Sequence, residues 1–292
     1  MTIRSILALT DFSAQGEQAL DRAALVAVEH CAQLRIMYFV DVPNPNLIDP
    51  FERLAQRAQQ LARRHRVSVA PVSRTSETVD RVVEESACAD LLVIDHRHHR
   101  ILMRFWQGTA FDQLVRRCQC PVLVVKREPS RRYRRVLVAV DFSAEAKELV
   151  RYAGAFDVES ELELFHSQST LNQTTESRRC AEERLVRLTE PVGPTKNRVM
   201  TSVGHGDPSR QTFVQQQATG ADLVVVGKNR ASPLADFLFG GFAQRLLSWA
   251  TSDVLVVPHD HRASSRAAAN LRIKAELSDG RGSFSGVKRK TL

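Results

Sequence analysis

The sequence predicts an α/β protein of two tandem domains, each built on a doubly wound, five-stranded parallel sheet. Three stretches of the chain occur twice in the same order. The tetrapeptide DFSA stands at 11–14 and again at 141–144, ADLLVI at 89–94 returns as ADLVVV at 221–226, and PVLVVK at 121–126 returns as DVLVVP at 253–258. Several stretches repeated at a nearly constant spacing indicate a duplicated domain.

In the first copy, short apolar runs rich in Val, Ile and Leu alternate with helical patterns. The runs are ILALT at 6–10, LRIMYFV at 34–40, VSVAPV at 67–72, LLVID at 91–95 and VLVVK at 122–126. Helices are predicted to begin near Ala14, Asp49, Ser76 and Gly108, the first with an apolar face of Ala19, Ala23, Val26 and Ala27. Because the runs lack apolar/polar alternation, we expect strands buried on both faces, hence a parallel sheet with helices on each side.

The second copy repeats this order of elements. Its apolar runs are VLVAV at 136–140, LELFH at 162–166, RVMTSV at 198–203, LVVVG at 223–227 and VLVVP at 254–258. In both copies DFSA follows the first strand, where its Ser can cap the next helix and its Asp lies near the positive end of the helix dipole.

The segments outside the repeats are polar and basic. We predict a first domain at 1–126, a linker at 127–133 and a second domain at 134–258. The tail at 259–292 holds eight Lys/Arg against three acidic residues, so it contributes +5 to the net charge of +8. Its weak apolar periodicity predicts a disordered, solubilising tail, and a nucleic-acid-binding arm is the alternative.

The composition is that of a globular protein, with 43% hydrophobic and 25% charged residues. The apolar runs are too short to span a membrane, and the N-terminal one is too short for a secretory signal, so we expect a cytoplasmic protein. Five scattered cysteines favour free thiols over a disulfide framework. The HRHHR stretch at 96–100 favours a solvated basic loop over a metal site.

One stretch of the second copy has the chemistry of an anion site. Its fourth strand ends at Gly227, Arg230 follows three residues later, and Gly240 and Gly241 open the last helix. A glycine at a strand end lets a ligand approach the backbone, and the free N–H groups of a helix N-terminus bind anions. The spacing is compatible with a phosphate cradle, although isolated glycines also serve turns.

These features together resemble the universal stress protein family. The resemblance rests on an apolar strand followed by Asp, a fourth strand ending in Gly, and a Gly-small pair opening the helix before VLVV. It covers about residues 3–126 and 134–258. It implies Rossmann-like domains fused into an internal pseudo-dimer, and some members bind ATP through the pattern G-x2-G-x9-G-[S/T]. With two apolar edge strands to cover, we expect VLVVK and VLVVP to pair in antiparallel fashion.

The second copy keeps part of that ATP pattern. Gly227 and Gly240 match its first and third glycines, whereas Arg230 stands at the second and Gly241 at the hydroxyl position. The resemblance also implies that the Asp after the first strand reaches the nucleoside and that the end of the second strand approaches adenine. The corresponding residues here are Asp141 and Ser167.

The first copy keeps less of the pattern. Asp95 and His98 replace the first two glycines, while Gly108, Thr109 and Asp11 are retained. A carboxylate about 5 Å from a phosphate would repel each charge by about 3 kcal/mol at an effective dielectric of about 20. We therefore predict that the first site does not bind nucleotides and that the second binds them weakly.

The sequence and the resemblance together predict a stress-response protein without catalytic residues, with ATP as the only cofactor they suggest. Neither GxxxxGK[ST] nor GxSxG occurs in the chain. An ATP-hydrolysing or adenylating enzyme of related fold is the first alternative. A protein that binds nucleic acid or another partner through its basic tail is the second. The expected partners are the two halves themselves and a second copy in a homodimer, with no membrane and no nucleic acid.

Overall fold

Strands and helices alternate along both halves of the chain. The computed structural model describes residues 3–40, 48–72, 78–96, 110–129, 132–168, 174–190, 198–228 and 242–258. The first half contains β1 (Ser5–Thr10), α1 (Ala14–His30), β2 (Gln33–Tyr38), α2 (Pro50–His65), β3 (Val69–Pro71), α3 (Val79–Ser86), β4 (Leu91–Asp95), α4 (Ala110–Arg117) and β5 (Val122–Val125). The second half contains β6 (Arg135–Ala139), α5 (Ala146–Phe156), β7 (Glu161–Gln168), α6 (Thr175–Thr189), β8 (Val199–His205), α7 (Pro208–Thr219), β9 (Leu223–Lys228), α8 (Phe242–Trp249) and β10 (Asp253–Pro258).

All ten strands form one continuous sheet in the order β3-β2-β1-β4-β5-β10-β9-β6-β7-β8. Each half has the same strand order and parallel pairing, as predicted for two doubly wound domains. The halves meet where β5 and β10 pair antiparallel, with Val124 opposite Val254 and Val122 opposite Val256. The predicted pairing of the last strands is therefore confirmed. Within the described residues, no helix is both long enough and apolar enough to cross a membrane.

The hydrophobic core lies on both faces of the sheet. Every residue of β1 and β10 is buried, as expected for strands covered by helices on each side. The predicted apolar face of α1 is also buried, since Ala19, Ala23 and Ala27 have no exposed surface and Val26 is only 2% exposed. These two observations explain why the apolar runs of the sequence carry no alternation.

The Asp that precedes the fourth strand has the same structural role in both halves. Asp90 accepts hydrogen bonds from the backbone N–H groups of Arg4 and Ser5, at 2.9 and 3.0 Å. Asp222 accepts from the two corresponding residues at the start of β6, at 3.0–3.2 Å. The repeated Ala-Asp pair thus ties the fourth strand of each half to the start of its first strand.

The DFSA turn also has the same geometry in both halves. The Asp Oδ1 accepts the Ser N–H, at 2.8 Å in the first half and 3.0 Å in the second. Phe12 and Phe142 adopt left-handed φ angles of 61° and 59°. An arginine of the second helix of each half covers the ring, Arg53 of α2 at 4.5 Å and Arg184 of α6 at 4.2 Å from the ring centroid. A short turn with one cation–π contact therefore closes the carboxyl end of each first strand.

The two turns differ in how they begin the next helix. Ser13 caps α1 by accepting the Gly16 N–H at 3.1 Å, as predicted. In the second half α5 begins only at Ala146 and has no side-chain cap, so capping by Ser143 is a prediction that proved wrong. The physical reason is space, because a Cβ at position 16 would lie 2.7 Å from Asp11 Oδ1. Ala146 occupies the corresponding position and carries that Cβ.

This difference predicts unequal effects of one substitution in the two turns. Ser13→Ala removes an N-cap and is expected to lower the free energy of unfolding by about 1 kcal/mol. Ser143→Ala is the matched control and should change it by less than about 0.5 kcal/mol, because the Ser143 hydroxyl caps no helix. Urea denaturation of both variants measures the difference. Equal losses in the two variants would contradict the assignment of the cap.

Candidate functional site

The candidate site lies at the carboxyl ends of three neighbouring strands of the second half. β6 has β7 on one side and β9 on the other, so the strand order reverses at β6. In open parallel sheets this reversal opens a crevice that binds ligands. Ala139 pairs with Phe165 on β7 and with Val226 on β9, so the residues that follow these three emerge at one edge. They include Asp141, which the sequence predicted as a site residue.

Asp141 presents an exposed carboxylate at this edge. One oxygen, Oδ1, accepts the Ser143 N–H at 3.0 Å, which holds the side chain in the turn. The turn places the carboxylate directly beyond the end of β6, between the ends of β7 and β9. A carboxylate in this position can accept hydrogen bonds from the hydroxyl or amino groups of a ligand.

Ser167 and Gly227 flank Asp141 on the neighbouring strands. The Ser167 hydroxyl donates to the Gly206 carbonyl at 3.0 Å, so it joins β7 to the loop that precedes α7 and can only accept from a ligand. Gly227 pairs with Val257 in the ladder between β9 and β10. Gly227 has no side chain, and a glycine near a strand end permits a ligand to approach the backbone closely.

His166 is a residue of this edge that the sequence reasoning did not single out. Its Nδ1 lies 2.8 Å from the Val140 carbonyl oxygen, and its ring centroid lies 4.0 Å from that of Phe142. Burial lowers the pKa of His166 below its ordinary value, and the cation of Arg184 lowers it further. A neutral imidazole whose Nδ1–H donates to Val140 fits these contacts. The only signal in the sequence is a histidine that ends the apolar run LELFH.

The first half places a carboxylate where the second half has Gly227. Asp95 ends β4 and pairs with Val125, which is the same register position as Gly227 opposite Val257. Its side chain is fully buried. Asp11 lies in the turn after β1, as Asp141 does after β6. The two halves therefore share the acidic turn and differ at the end of the fourth strand.

Several predicted site residues lie outside the described part of the chain. They are Arg230, Gly240 and Gly241 in the second half, and His98, Gly108 and Thr109 in the first. All of the HRHHR stretch beyond His96 and the tail at 259–292 also lie outside it. The predicted phosphate half of the site therefore remains a prediction, whereas Asp141, Ser167 and Gly227 are brought to one edge.

Two described side chains at this edge interact with backbone carbonyls of the protein itself. His166 and Ser167 both interact with backbone carbonyls, so neither is arranged as a base beside a nucleophile. In the described ranges, no three His, Cys, Asp or Glu side chains are grouped to hold a metal ion. The five cysteines are free thiols, with Cys118 and Cys120 buried.

Comparisons with known proteins agree with this architecture. The sequence model of the universal stress protein family matches residues 2–126 and again 132–258. A universal stress protein from Archaeoglobus fulgidus DSM 4304 superposes with a TM-score of 0.65 at 17% identity, over 88% of this chain and 97% of that one. A functionally unknown protein from Pseudomonas aeruginosa PAO1 superposes with a TM-score of 0.67 at 20% identity, over 92% and 98%. Comparison with curated proteins gave no significant match.

The two structural superpositions show that the fold is shared, and the match to the family model shows that the chain is a member of the family. Both solved chains are covered almost completely, so the tandem arrangement itself is common to them and this protein. The family model covers most of the chain in two consecutive matches. The protein belongs to the universal stress protein family, as a member with two domains in tandem.

Proposed function

We propose that this protein is a cytoplasmic stress-response protein without catalytic activity, and that its second half alone binds an adenine nucleotide, weakly. The observation that carries the proposal is the difference between Gly227 and Asp95 at one register position. In the second half this position is a glycine without a side chain, and in the first half it is a buried carboxylate. A phosphate can approach Gly227 and is repelled by Asp95.

The remaining groups of the second site favour an anionic nucleoside ligand. Asp141 supplies an exposed acceptor beyond β6, and Arg184 supplies a cation above the ring of Phe142. Arg230, which replaces a glycine of the family pattern, adds a second cation that can pair with a phosphate while it hinders close approach. This combination supports binding with low affinity.

The catalytic alternative requires groups that the described edge does not bring together. Hydrolysis of ATP or transfer of its adenylate needs a base and a metal-binding acid near the phosphates. ATP turnover by the wild-type protein that disappears in Asp141→Ala would favour the enzyme. Binding through the basic tail would instead appear as salt-sensitive affinity for nucleic acid that is lost when 259–292 is deleted.

The proposal predicts that equivalent substitutions in the two halves have different effects on ATP binding. Asp141→Ala should raise the Kd of the full-length protein for ATP about tenfold, because a hydrogen bond to a charged group contributes about 1.5 kcal/mol. Asp11→Ala is the matched control and should leave the Kd unchanged. Isothermal titration calorimetry with millimolar ATP measures both, with one site expected per chain. Two sites per chain, or equal effects of the two variants, would contradict the proposal.

A second variant tests the phosphate half of the same site. Arg230→Gly combined with Gly241→Ser restores the family pattern and is expected to lower the Kd for ATP. Adding Asp141→Ala to that background should weaken binding again. If the restored double variant binds ATP no better than the wild type, the glycines of this stretch are structural only.

A further inference from the structure

We call the antiparallel contact of β5 with β10, together with the residues that flank these strands, the seam between the halves. Its apolar part is nearly symmetric. Val124 lies opposite Val254, Leu123 opposite Leu255 and Val122 opposite Val256. Under the repeat, VLVV of β5 corresponds to VLVV of β10. Because the two strands share this sequence, each could pair with a second copy of itself as well as with the strand of the other half, as in an isologous interface. The two strands alone therefore do not determine which halves pair.

The residues that flank these strands are not symmetric. β5 is preceded by Pro121 and followed by Lys126, whereas β10 begins with Asp253 and ends with Pro258. Antiparallel pairing brings Lys126 and Asp253 to the same end of the seam, where the Lys126 N–H donates to Asp253 Oδ1 at 2.8 Å. One end of the seam is thus charged, and the other carries two prolines.

Asp253 is satisfied mainly by donors from the first half and from the segment that joins the halves. Its side chain has no exposed surface. Oδ1 accepts the backbone N–H groups of Lys126 and Arg127, at 2.8 and 3.1 Å. Oδ2 accepts the Tyr133 hydroxyl at 2.7 Å and pairs with Arg22 Nε at 3.2 Å. A buried carboxylate is stable only with partners of this kind, because burial of an unpaired charge is strongly unfavourable.

The same end of the seam holds a second contact between the halves. The Lys126 ammonium group donates to the carbonyl oxygens of Leu247 and Ala250, the latter at 2.6 Å. Leu247 lies in the last turn of α8 and Ala250 directly follows the helix, so the cation also faces the negative end of the helix dipole. The Arg22 guanidinium in turn lies 4.3 Å from the centroid of the Tyr133 ring.

Like halves could not reproduce these contacts. In a pair of two second halves, Pro258 would stand where Lys126 stands, and proline has no N–H to donate to Asp253. In a pair of two first halves, Pro121 would stand at the Asp253 position, so Arg22 and the N–H groups of Lys126 and Arg127 would face no carboxylate.

We propose that the Asp253 and Lys126 contacts make this seam heterotypic, so that a first half pairs only with a second half and never with a copy of itself. The second half offers a buried carboxylate and the carboxyl end of a helix, and the first half offers the groups that donate to them. Any homodimer of this protein then forms through another surface and leaves the seam closed.

The test uses the folded full-length protein with a protease site placed between Pro129 and Arg132. After cleavage of the native protein, an isotopically labelled batch is mixed with an unlabelled one, and native mass spectrometry follows the exchange of halves. Every exchanged pair is expected to contain one first and one second half. Pairs of two first or two second halves at a statistical frequency would overturn the proposal.

A variant with a matched control tests the role of the carboxylate. Asp253→Asn should accelerate exchange at least tenfold, because the side chain becomes neutral and an NH2 group, itself a donor, replaces the Oδ2 that pairs with Arg22 and accepts from Tyr133. Asp222→Asn is the control, since Asp222 also accepts two backbone N–H groups but from residues of its own half. Tyr133→Phe removes a donor that remains in the same half as Asp253 after cleavage, so it should give a smaller acceleration. Exchange in Asp253→Asn no faster than in the wild type and in Asp222→Asn would show that the seam is not held in this way.

Discussion

When the pH rises from 5 to 8, the free energy of unfolding of the wild type is expected to fall by about 2–3 kcal/mol more than that of the Glu29→Gln variant. Glu29 lies near the end of α1, where its side chain is 13% exposed and its Oε1 lies 3.1 Å from Arg132 Nε. Burial, followed by the nearby charge of Asp157, raises the pKa of Glu29 from 4.5 to about 7. The ion pair with Arg132 lowers it by less.

The direction of the effect follows from proton linkage. The folded state holds a proton on Glu29 that the unfolded chain releases at lower pH. The stabilising contribution of this group is therefore fully present below about pH 4.5 and is lost as the pH rises through about 7. Because the glutamine side chain is neutral throughout this range, the variant does not lose stability in this way.

Urea denaturation of both proteins between pH 5 and pH 8 measures the difference. Asp157, His30 and His166 also have shifted pKa values, and they titrate in both proteins, so the comparison isolates Glu29. Glu159→Gln, with a side chain that is 58% exposed, is the control and should show no such pH dependence. A constant difference between Glu29→Gln and the wild type at all pH values would show that Glu29 is ionised throughout.

Gly204→Ala is expected to lower the free energy of unfolding by about 3 kcal/mol, the upper end of the range for overpacking a core. A Cβ at this position would lie 2.6 Å from Phe165 Cζ and 3.0 Å from Cε2. Phe165 is 2% exposed and belongs to a core cluster, so movement of its rigid ring would disturb the packing around it. Because Gly204 pairs with Ser167, we also expect weaker ATP binding at the candidate site.

Two further variants distinguish this clash from a general loss of stability. Gly220→Ala places a methyl group at a helix C-cap with φ +63°, which costs about 1 kcal/mol of strain but is remote from the candidate site. It should lower stability without changing the Kd for ATP. Phe165→Leu in the Gly204→Ala background removes the atom in contact and should recover part of the stability. No recovery would mean that the backbone, and not the ring, opposes the methyl group.

The sequence alone determined the architecture because the relevant signals are local and repeated. Apolar runs without alternation predicted buried parallel strands, and the recurrence of DFSA and VLVV predicted two copies of one domain. The family resemblance and the two apolar edge strands predicted that the last strands pair. The boundaries were less secure, since VSVAPV at 67–72 forms a strand only at Val69–Pro71. That strand lies at the edge of the sheet, where a single neighbouring strand supplies its hydrogen bonds.

The candidate site was predictable in part. Asp141, Ser167 and Gly227 could be placed at one edge because the carboxyl ends of parallel strands always coincide. The role of His166 could not be predicted from the sequence, because it depends on contacts with the Val140 carbonyl and the Phe142 ring, which lie on the neighbouring strand and its turn.

Contacts between residues distant in the sequence were decided only by the tertiary structure. Whether Ser13 and Ser143 cap their helices depends on the space between the helix and the Asp of the turn, which one methyl group removes. Lys126 and Asp253 flank nearly identical strands, and only the antiparallel register brings them to the same end of the seam. Periodicity in a sequence reports which surfaces are apolar, whereas the partner of a buried charge is set by atomic distances that exist only once the strands have paired.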